Sequence, residues 1–198
     1  MFDYMDILRR ITLGVLTVSA MAVCSCGVRI ADADYPAQKI YLPAAVSSGI
    51  YLIDKAEESA GSVPGGGAPY RFLIDYDEWT FSIPLSVYRS GADSKGDVHV
   101  DIYMDDDAVY DLILSGEIDE DIDILPMDLR ECPERVVIQD GSLSAPFGVV
   151  MDLDFLLDGP QRGKRLAFGI SIGTPDRELN VECSRLAVII DTSVFDNI

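Results

Sequence analysis

The feature that most constrains the fold of this chain is a repeated alternation of apolar and polar residues. Residues 81–88, 98–104, 147–155 and 166–172 each place an apolar side chain at every second position. Successive side chains of a β-strand point to opposite faces of the sheet, so a period of two is typical of strands with one buried face. The pattern predicts two sheets packed face to face, with the other face of each strand in contact with solvent.

Shorter apolar runs predict five further strands, over residues 39–43, 50–54, 70–75, 135–139 and 185–191. The Asp140-Gly141 pair lies between two predicted strands and is typical of the turn of a β-hairpin. Strands of this length and spacing favour an all-β fold, specifically an immunoglobulin-like β-sandwich.

One short helix is predicted to follow the strand over residues 98–104. An aspartate among residues 105–107 can cap its first turn, and Gly116 can end it. Val109, Leu112 and Ile113 have the spacing of a buried helical stripe.

The N-terminus has the composition of a secretory signal. Arg9 and Arg10 precede an uncharged run over residues 11–23, which is too short to span a bilayer as a helix. Asp3 and Asp6 are unusual in the basic region of such a signal, so translation can also begin at Met5.

Two cleavage sites compete at the end of this signal. Ala20-Met21-Ala22 fits the small residues that the ordinary signal peptidase requires. The run from Val23 to Cys26 resembles a lipobox, with an aliphatic residue three positions before the cysteine and Ser25 directly before it. We expect lipidation at Cys26 and three segments: a signal peptide over 1–25, a lipidated cysteine and tether over 26–38, and one β-sandwich domain over 39–198.

The charge of the chain excludes one class of partner. There are 34 acidic and 15 basic residues, a formal net charge of −19. A field of this sign repels phosphate backbones, so we expect no nucleic-acid partner.

A search for catalytic and metal-binding residues leaves few candidates. His99 is the only histidine, and it occupies a polar position of a predicted strand, so no nucleophile–base device is expected. Residues 105–107 and 119–121 are acidic runs without the spacing of a calcium loop. The sequence predicts no enzyme, no metal and no cofactor. Cys132 and Cys183 remain after lipidation of Cys26, and they can form a disulfide in an oxidising compartment.

Trp79 and Tyr76 are the candidates for ligand binding. They lie among Asp77 and Glu78, and flat aromatic rings beside carboxylates can stack on sugar rings while the acids accept hydrogen bonds from hydroxyl groups. The alternative is that these residues begin a strand and fill the edge of the core.

Four segments resemble a known family. Residues 35–45 (YPAQKIYLPAA) resemble its opening motif and residues 83–91 (IPLSVYRSG) its second strand motif; residues 135–155 resemble its central hairpin and residues 186–192 its last strand. This family is the DUF1735-type N-terminal domain of Bacteroidetes lipoproteins, and the resemblance covers roughly residues 34–192. It implies an immunoglobulin-like sandwich on a lipoprotein that takes part in carbohydrate-related systems.

The chain departs from the family pattern in two respects. The resemblance does not extend to the glycosidase-like or lectin-like domain that often follows in the family, so it implies no catalytic residue. Surface-exposed lipoproteins of that group carry acids directly after the cysteine, whereas Gly27, Val28 and Arg29 stand here. We therefore expect a lipid anchor in the outer membrane or cell envelope, with the domain on either the periplasmic or the surface side.

The expected function is a non-catalytic binding or accessory module, with glycan acquisition as its setting. The alternative is a structural lipoprotein that contacts other envelope proteins.

Overall fold

A computed structural model describes residues 37–54, 71–91 and 93–196. The segment expected to hold the signal peptide, Cys26 and most of the tether lies outside the described residues. The described elements are β1 (Lys39–Tyr41), β2 (Ile50–Ile53), β3 (Leu73–Asp75), β4 (Thr80–Arg89), β5 (Val98–Met104), α1 (Asp107–Ser115), β6 (Ile122–Ile124), β7 (Arg130–Glu131), β8 (Arg135–Ile138), β9 (Ser144–Asp152), α2 (Leu153–Leu157), β10 (Arg165–Gly173), β11 (Glu178–Leu179) and β12 (Arg185–Asp191).

These strands form two sheets, and the prediction of an all-β, immunoglobulin-like sandwich is confirmed. The first sheet has the order β11-β1-β4-β9-β7, with β3 paired to β4; the second has the order β2-β12-β10-β5-β8, with β6 paired to β10. The main core lies between the sheets and is built from the inward side chains of both.

The longest ladder follows the predicted alternation closely. β4 and β9 pair antiparallel from Thr80↔Asp152 to Tyr88↔Ser144. Phe81 and Ile83 on β4, and Val149 on β9, point inward and are almost fully buried. The period of two therefore identified the core face of the first sheet correctly.

The second sheet departs from the expectation that each strand keeps one face in solvent. Residues 166–170 of β10 and 186–190 of β12 are buried on both faces. Leu166 and Phe168 face the main core, whereas Ala167 and Ala187 contact a second cluster that includes Val109 of α1. The helix covers the outer face of this sheet, and small side chains let it lie close to the strands.

The Asp140-Gly141 turn does not form the expected hairpin. β8, before the turn, pairs with β5 in the second sheet, and β9, after it, pairs with β4 in the first. Gly141 adopts a φ of +82° as a tight turn requires, so the local prediction of a turn is right and the predicted strand partners are wrong. The turn connects the two layers of the sandwich.

The described residues hold two α-helices instead of the single one expected. α1 has the predicted extent and ends at Gly116, whose φ is +75°. α2 begins where the predicted strand was expected to continue, because Asp152 caps it: its Oδ1 accepts hydrogen bonds from the backbone N–H of Asp154 at 2.7 Å and of Phe155 at 3.4 Å. Phe155, expected on the strand, therefore lies on a helix.

Candidate binding site

A tight hairpin places the two aromatic candidates at one end of the first sheet. β3 and β4 pair from Leu73↔Ser82 to Asp75↔Thr80, so Tyr76 to Trp79 form the loop between them. The Asp75 Oδ1 atom accepts hydrogen bonds from the backbone N–H of Asp77 at 2.9 Å and of Glu78 at 3.0 Å. This Asx turn fixes the loop backbone.

Trp79 is held in place by its backbone conformation and by two hydrogen bonds. Its φ of 56° is left-handed, a conformation that few non-glycine residues adopt. Its indole N–H donates a hydrogen bond to Asp154 Oδ1 at 2.6 Å, and its carbonyl accepts one from the N–H of Leu153 at 3.1 Å. Trp79 is nevertheless 39% exposed, and its ring centroid lies 6.2 Å from that of Tyr76, a residue that is 55% exposed. The structure therefore brings the two predicted residues together, on the surface.

A groove of about 310 Å³ runs beside Trp79 on the outer face of the first sheet. It is lined by Glu78, Trp79, Thr80, Asp128, Leu129, Glu131, Val150, Met151 and Asp152. We call this the Trp79 groove. Its four carboxylates form no ion pair with the lysines and arginines of the described segments. The groove therefore offers an aromatic ring beside several strong hydrogen-bond acceptors.

A larger cleft, of about 840 Å³, lies beside the crossover from β7 to β8. It is lined by Asp101, Ile102, Tyr103, Met104, Met127, Cys132, Pro133, Glu134 and Arg135. We call this the Tyr103 cleft. Sequence reasoning missed it, because it combines segments some thirty residues apart. The only local signal was an aromatic residue at a polar, outward position of the strand over residues 98–104.

The polar side chains of the Tyr103 cleft are arranged by cross-strand pairing. Asp101 on β5 lies opposite Arg135 on β8, and Arg135 Nε donates to Asp101 Oδ1 at 2.5 Å. The guanidinium, with a further hydrogen bond from Tyr103, holds the pKa of the Asp101 carboxyl below its usual range.

His99 has a structural partner on the outer face of the second sheet. Its Nδ1 lies 2.9 Å from Asp176 Oδ2, and its backbone N–H donates to the same oxygen at 2.7 Å. These hydrogen bonds lower the pKa of the Asp176 carboxyl. The pair ties β5 to the loop after β10.

The structure does not bring Cys132 and Cys183 together, and both thiols are free. Cys132 follows β7 at one edge of the first sheet, whereas the Cys183 carbonyl accepts a hydrogen bond from Leu42, just after β1, with β4 and β9 lying between. A disulfide requires Cα atoms within about 7 Å. Burial raises the pKa of the Cys132 thiol to about 11.

The acidic run at residues 105–107 is engaged by arginines. Asp105 accepts two hydrogen bonds from Arg185, at 2.8 and 3.1 Å, and Asp106 accepts two from Arg130, both at 2.8 Å. Within the described residues, no three histidine, cysteine or acidic side chains are grouped to hold a metal ion. The same residues include no helix with the length and apolarity needed to cross a membrane.

Comparison with known proteins identifies no family directly. No family model matches the chain, and no curated protein matches it.

Solved structures are similar in fold. A candidate carbohydrate-binding protein from Bacteroides ovatus is similar over 77% of this chain and 36% of its own, with a TM-score of 0.53 and 12% identity. The match to a two-domain protein of unknown function from Bacteroides fragilis includes 96% of this chain and 51% of that protein, with a TM-score of 0.49 and 12% identity.

The match to a multidomain Bacteroides ovatus protein that includes DUF1735 includes 56% of this chain and 36% of that protein, with a TM-score of 0.43 and 16% identity. The chain therefore spans about a third to a half of the length of these three structures. At 12% identity, the first of them supports the β-sandwich fold and nothing finer.

Proposed function

We propose that this protein is a non-catalytic glycan-binding module of a DUF1735-type lipoprotein, anchored in the cell envelope through Cys26. The observation that carries the proposal is the Trp79 groove, where a fixed, half-exposed indole lies beside four carboxylates.

The chemistry of the groove suits sugar hydroxyl groups. The indole offers an apolar face for the C–H groups of a pyranose ring, and carboxylates accept hydrogen bonds from hydroxyls. The hairpin and the hydrogen bond to Asp154 keep the ring in one orientation, so little side-chain freedom is lost on binding. The acidic walls favour an uncharged glycan over an anionic one.

Binding can be measured through the only tryptophan of the chain. We expect yeast mannan, xylan, laminarin or starch to shift Trp79 emission to shorter wavelength and to protect it from acrylamide quenching, because a stacked sugar excludes water from the ring. Polygalacturonate is the anionic control and should have no effect. We expect no reducing sugar to be released from any of these polysaccharides.

Substitution of the ring tests the site itself. Trp79→Ala should weaken binding by about 1 kcal/mol or more, roughly fivefold in Kd, through loss of the aromatic contact. Tyr110→Ala is the matched control, because Tyr110 is an equally exposed aromatic residue on α1. Affinity gels measure both variants without relying on fluorescence. Equal retention of the two variants would show that the binding site does not include Trp79. Failure of the wild type to bind any of the polysaccharides would refute the proposal.

A further inference from the structure

The Tyr103 cleft has the features of a binding site in its own right. Its volume of about 840 Å³ falls in the range of small-molecule sites in proteins. Tyr103 is 52% exposed and Met127 is 57% exposed, so two large apolar side chains are presented to solvent at its walls.

The aromatic ring of the cleft packs against the neighbouring strand. Tyr103 lies across the backbone of Gly173 on the neighbouring strand, where an added Cβ atom would stand 3.1 Å from the ring carbon Cε2. Any side chain at Gly173 would push the ring away. Asp101, two residues earlier on the same outward face, accepts a hydrogen bond from Arg135 Nε at 2.5 Å. The ring, the carboxylate and the guanidinium therefore lie on one face of the second sheet.

One short segment separates the cleft from the Trp79 groove. Met127 and Cys132 line the Tyr103 cleft, whereas Asp128, Leu129 and Glu131 line the Trp79 groove. Consecutive residues of the same 3-10 turn and strand thus face the two cavities. The two cavities therefore share this segment as a wall, and a ligand that occupies both has to cross it.

We propose that the Tyr103 cleft is a second subsite of one extended site, and that the ligand is an uncharged oligosaccharide chain instead of a single sugar or a disaccharide. This inference rests on the proposed function. Tyr103 stacks on a pyranose ring, the Arg135 guanidinium donates to hydroxyl oxygens, and Asp101 accepts from hydroxyl groups. The two charges neutralise each other, so the subsite selects no ionic group.

Chain length and a substitution together test the second subsite. The probes are manno-, xylo-, laminari- and malto-oligosaccharides of two and of six units, titrated by calorimetry into the full chain in detergent. We expect the hexamer of the bound sugar to bind at least tenfold more tightly than the dimer. Tyr103→Ala should weaken hexamer binding about fivefold and leave dimer binding unchanged. Tyr103→Phe keeps the ring and should bind the hexamer like the wild type, and Tyr110→Ala is again the control.

Cys132 provides a readout that needs no substitution. It lines the Tyr103 cleft, whereas Cys183 is buried elsewhere. Because the thiolate is the nucleophile and the pKa of Cys132 is about 11, alkylation by iodoacetamide is followed at an alkaline pH of about 9.5. Bound hexamer should slow the alkylation of Cys132 and leave the alkylation of Cys183 unchanged.

The outcomes separate the two proposals. If Trp79→Ala weakens binding while Tyr103→Ala behaves like Tyr110→Ala, the second subsite is refuted and the proposed function stands. If dimer and hexamer bind equally, the extended site is refuted. If none of the four sugar series binds the wild type, both the extended site and its oligosaccharide ligand are refuted, and the polysaccharide panel decides the proposed function separately.

Discussion

Two residues show how tightly single positions constrain this sandwich. Gly169 lies on β10 where the chain entering α1 crosses it: its carbonyl accepts from the N–H of Asp105 at 2.9 Å, and its N–H donates to Asp106 Oδ1 at 3.1 Å. Arg89 is fully buried, and its guanidinium donates hydrogen bonds to five backbone carbonyls. It holds two loops against the end of β4.

Gly169→Ala should be strongly destabilising. A Cβ atom there would lie 1.8 Å from the Asp105 carbonyl oxygen, so the start of α1 has to move off β10. We expect the free energy of unfolding to fall by about 3 kcal/mol, at the upper end of overpacking effects. Urea denaturation measures it. Gly159→Ala is the control, since a Cβ atom added there would have no atom within 4 Å. Similar stability for both variants would contradict the close contact.

At the residue scale, the sequence predicted the chemistry of the candidate binding residues better than their positions in the fold. Trp79 and Tyr76 stood out because aromatic residues beside acids suit sugar binding, and they do meet on the surface. Tyr103 did not, because its importance depends on Gly173 beneath it and on the Asp101–Arg135 pair beside it. Alternation marks Tyr103 as outward and says nothing about which segments surround it.

At the scale of elements, α1 is attached to both sheets by ion pairs. Arg130 on β7 belongs to the first sheet, its side chain is fully buried, and it also lies over the ring of Phe168. It binds Asp106 at the start of α1, which covers the second sheet. Arg185 on β12 binds Asp105 and Asp111 of the same helical region. The helix therefore links the two layers by ion pairs, in addition to the apolar packing between them.

Breaking the buried pair should be costly. Arg130→Met leaves the Asp106 carboxylate, only 20% exposed, without its cation, so we expect a loss of about 3 kcal/mol in the free energy of unfolding. Asp119→Ala breaks a pair with Arg165 in which the aspartate is 76% exposed, and it should cost less than about 1 kcal/mol. Chemical denaturation compares the two. Comparable losses would show that burial does not distinguish these pairs.

The same contacts predict the response to acid. The Arg185 hydrogen bonds lower the pKa of Asp105 from its ordinary 3.8 despite partial burial. For Asp106, burial acts to raise the pKa, but Arg130 and the Gly169 N–H outweigh it and the net shift is downward. A carboxyl with a lowered folded-state pKa stabilises the fold above its unfolded-state value, and this contribution is lost as the pH falls through the folded-state value.

We therefore expect the free energy of unfolding to fall steeply below about pH 4, near the unfolded-state pKa of aspartate. Urea titrations from pH 6 downward measure the dependence. Asp105→Asn removes one of the contributing carboxyls, so its stability should fall less steeply over the same interval; Asp77→Asn, on the exposed hairpin loop, is the matched control. A slope unchanged by Asp105→Asn contradicts the assignment.

The alternation predicted most strands but could not predict their partners. It does not distinguish a turn within one sheet from a turn between sheets, which is why Asp140-Gly141 was assigned to a hairpin. It also missed α2, because Asp152 occupies an outward strand position as well as an N-cap. The burial of the outer face of β10 could not be predicted either. Its only sign in the sequence is two small residues, Ala167 and Gly169, which also fit a solvent-facing strand.

At the scale of the whole molecule, the two sheets have different roles. α1 covers the outer face of the second sheet, whereas the first sheet leaves its outer face open beside Trp79. The Trp79 groove therefore lies on the layer without a helical cover. If the proposed anchor holds many copies on one membrane, they can bind a long glycan together through avidity.

The anchor itself is directly testable. Cys26→Ala should move the protein from the detergent phase to the aqueous phase of Triton X-114, because the proposed anchor is a set of acyl chains on that cysteine. Cys24→Ala is the control and should stay in the detergent phase, since Val23 before it does not fit the lipobox. Equal partitioning of the Cys26 variant and the wild type would show that lipid is not attached there.

The order in which strands pair has a consequence for synthesis of the protein. β2 pairs in the described segments with β12 alone, and β1 gains its second neighbour from β11. Both partners come from the last part of the chain. The apolar strand β2 is therefore synthesised long before residues 185–191, which cover its edge in the folded protein. Stalled or shortened chains that end before β12 should expose this edge and bind holding chaperones, while the finished chain closes both sheets in one late step.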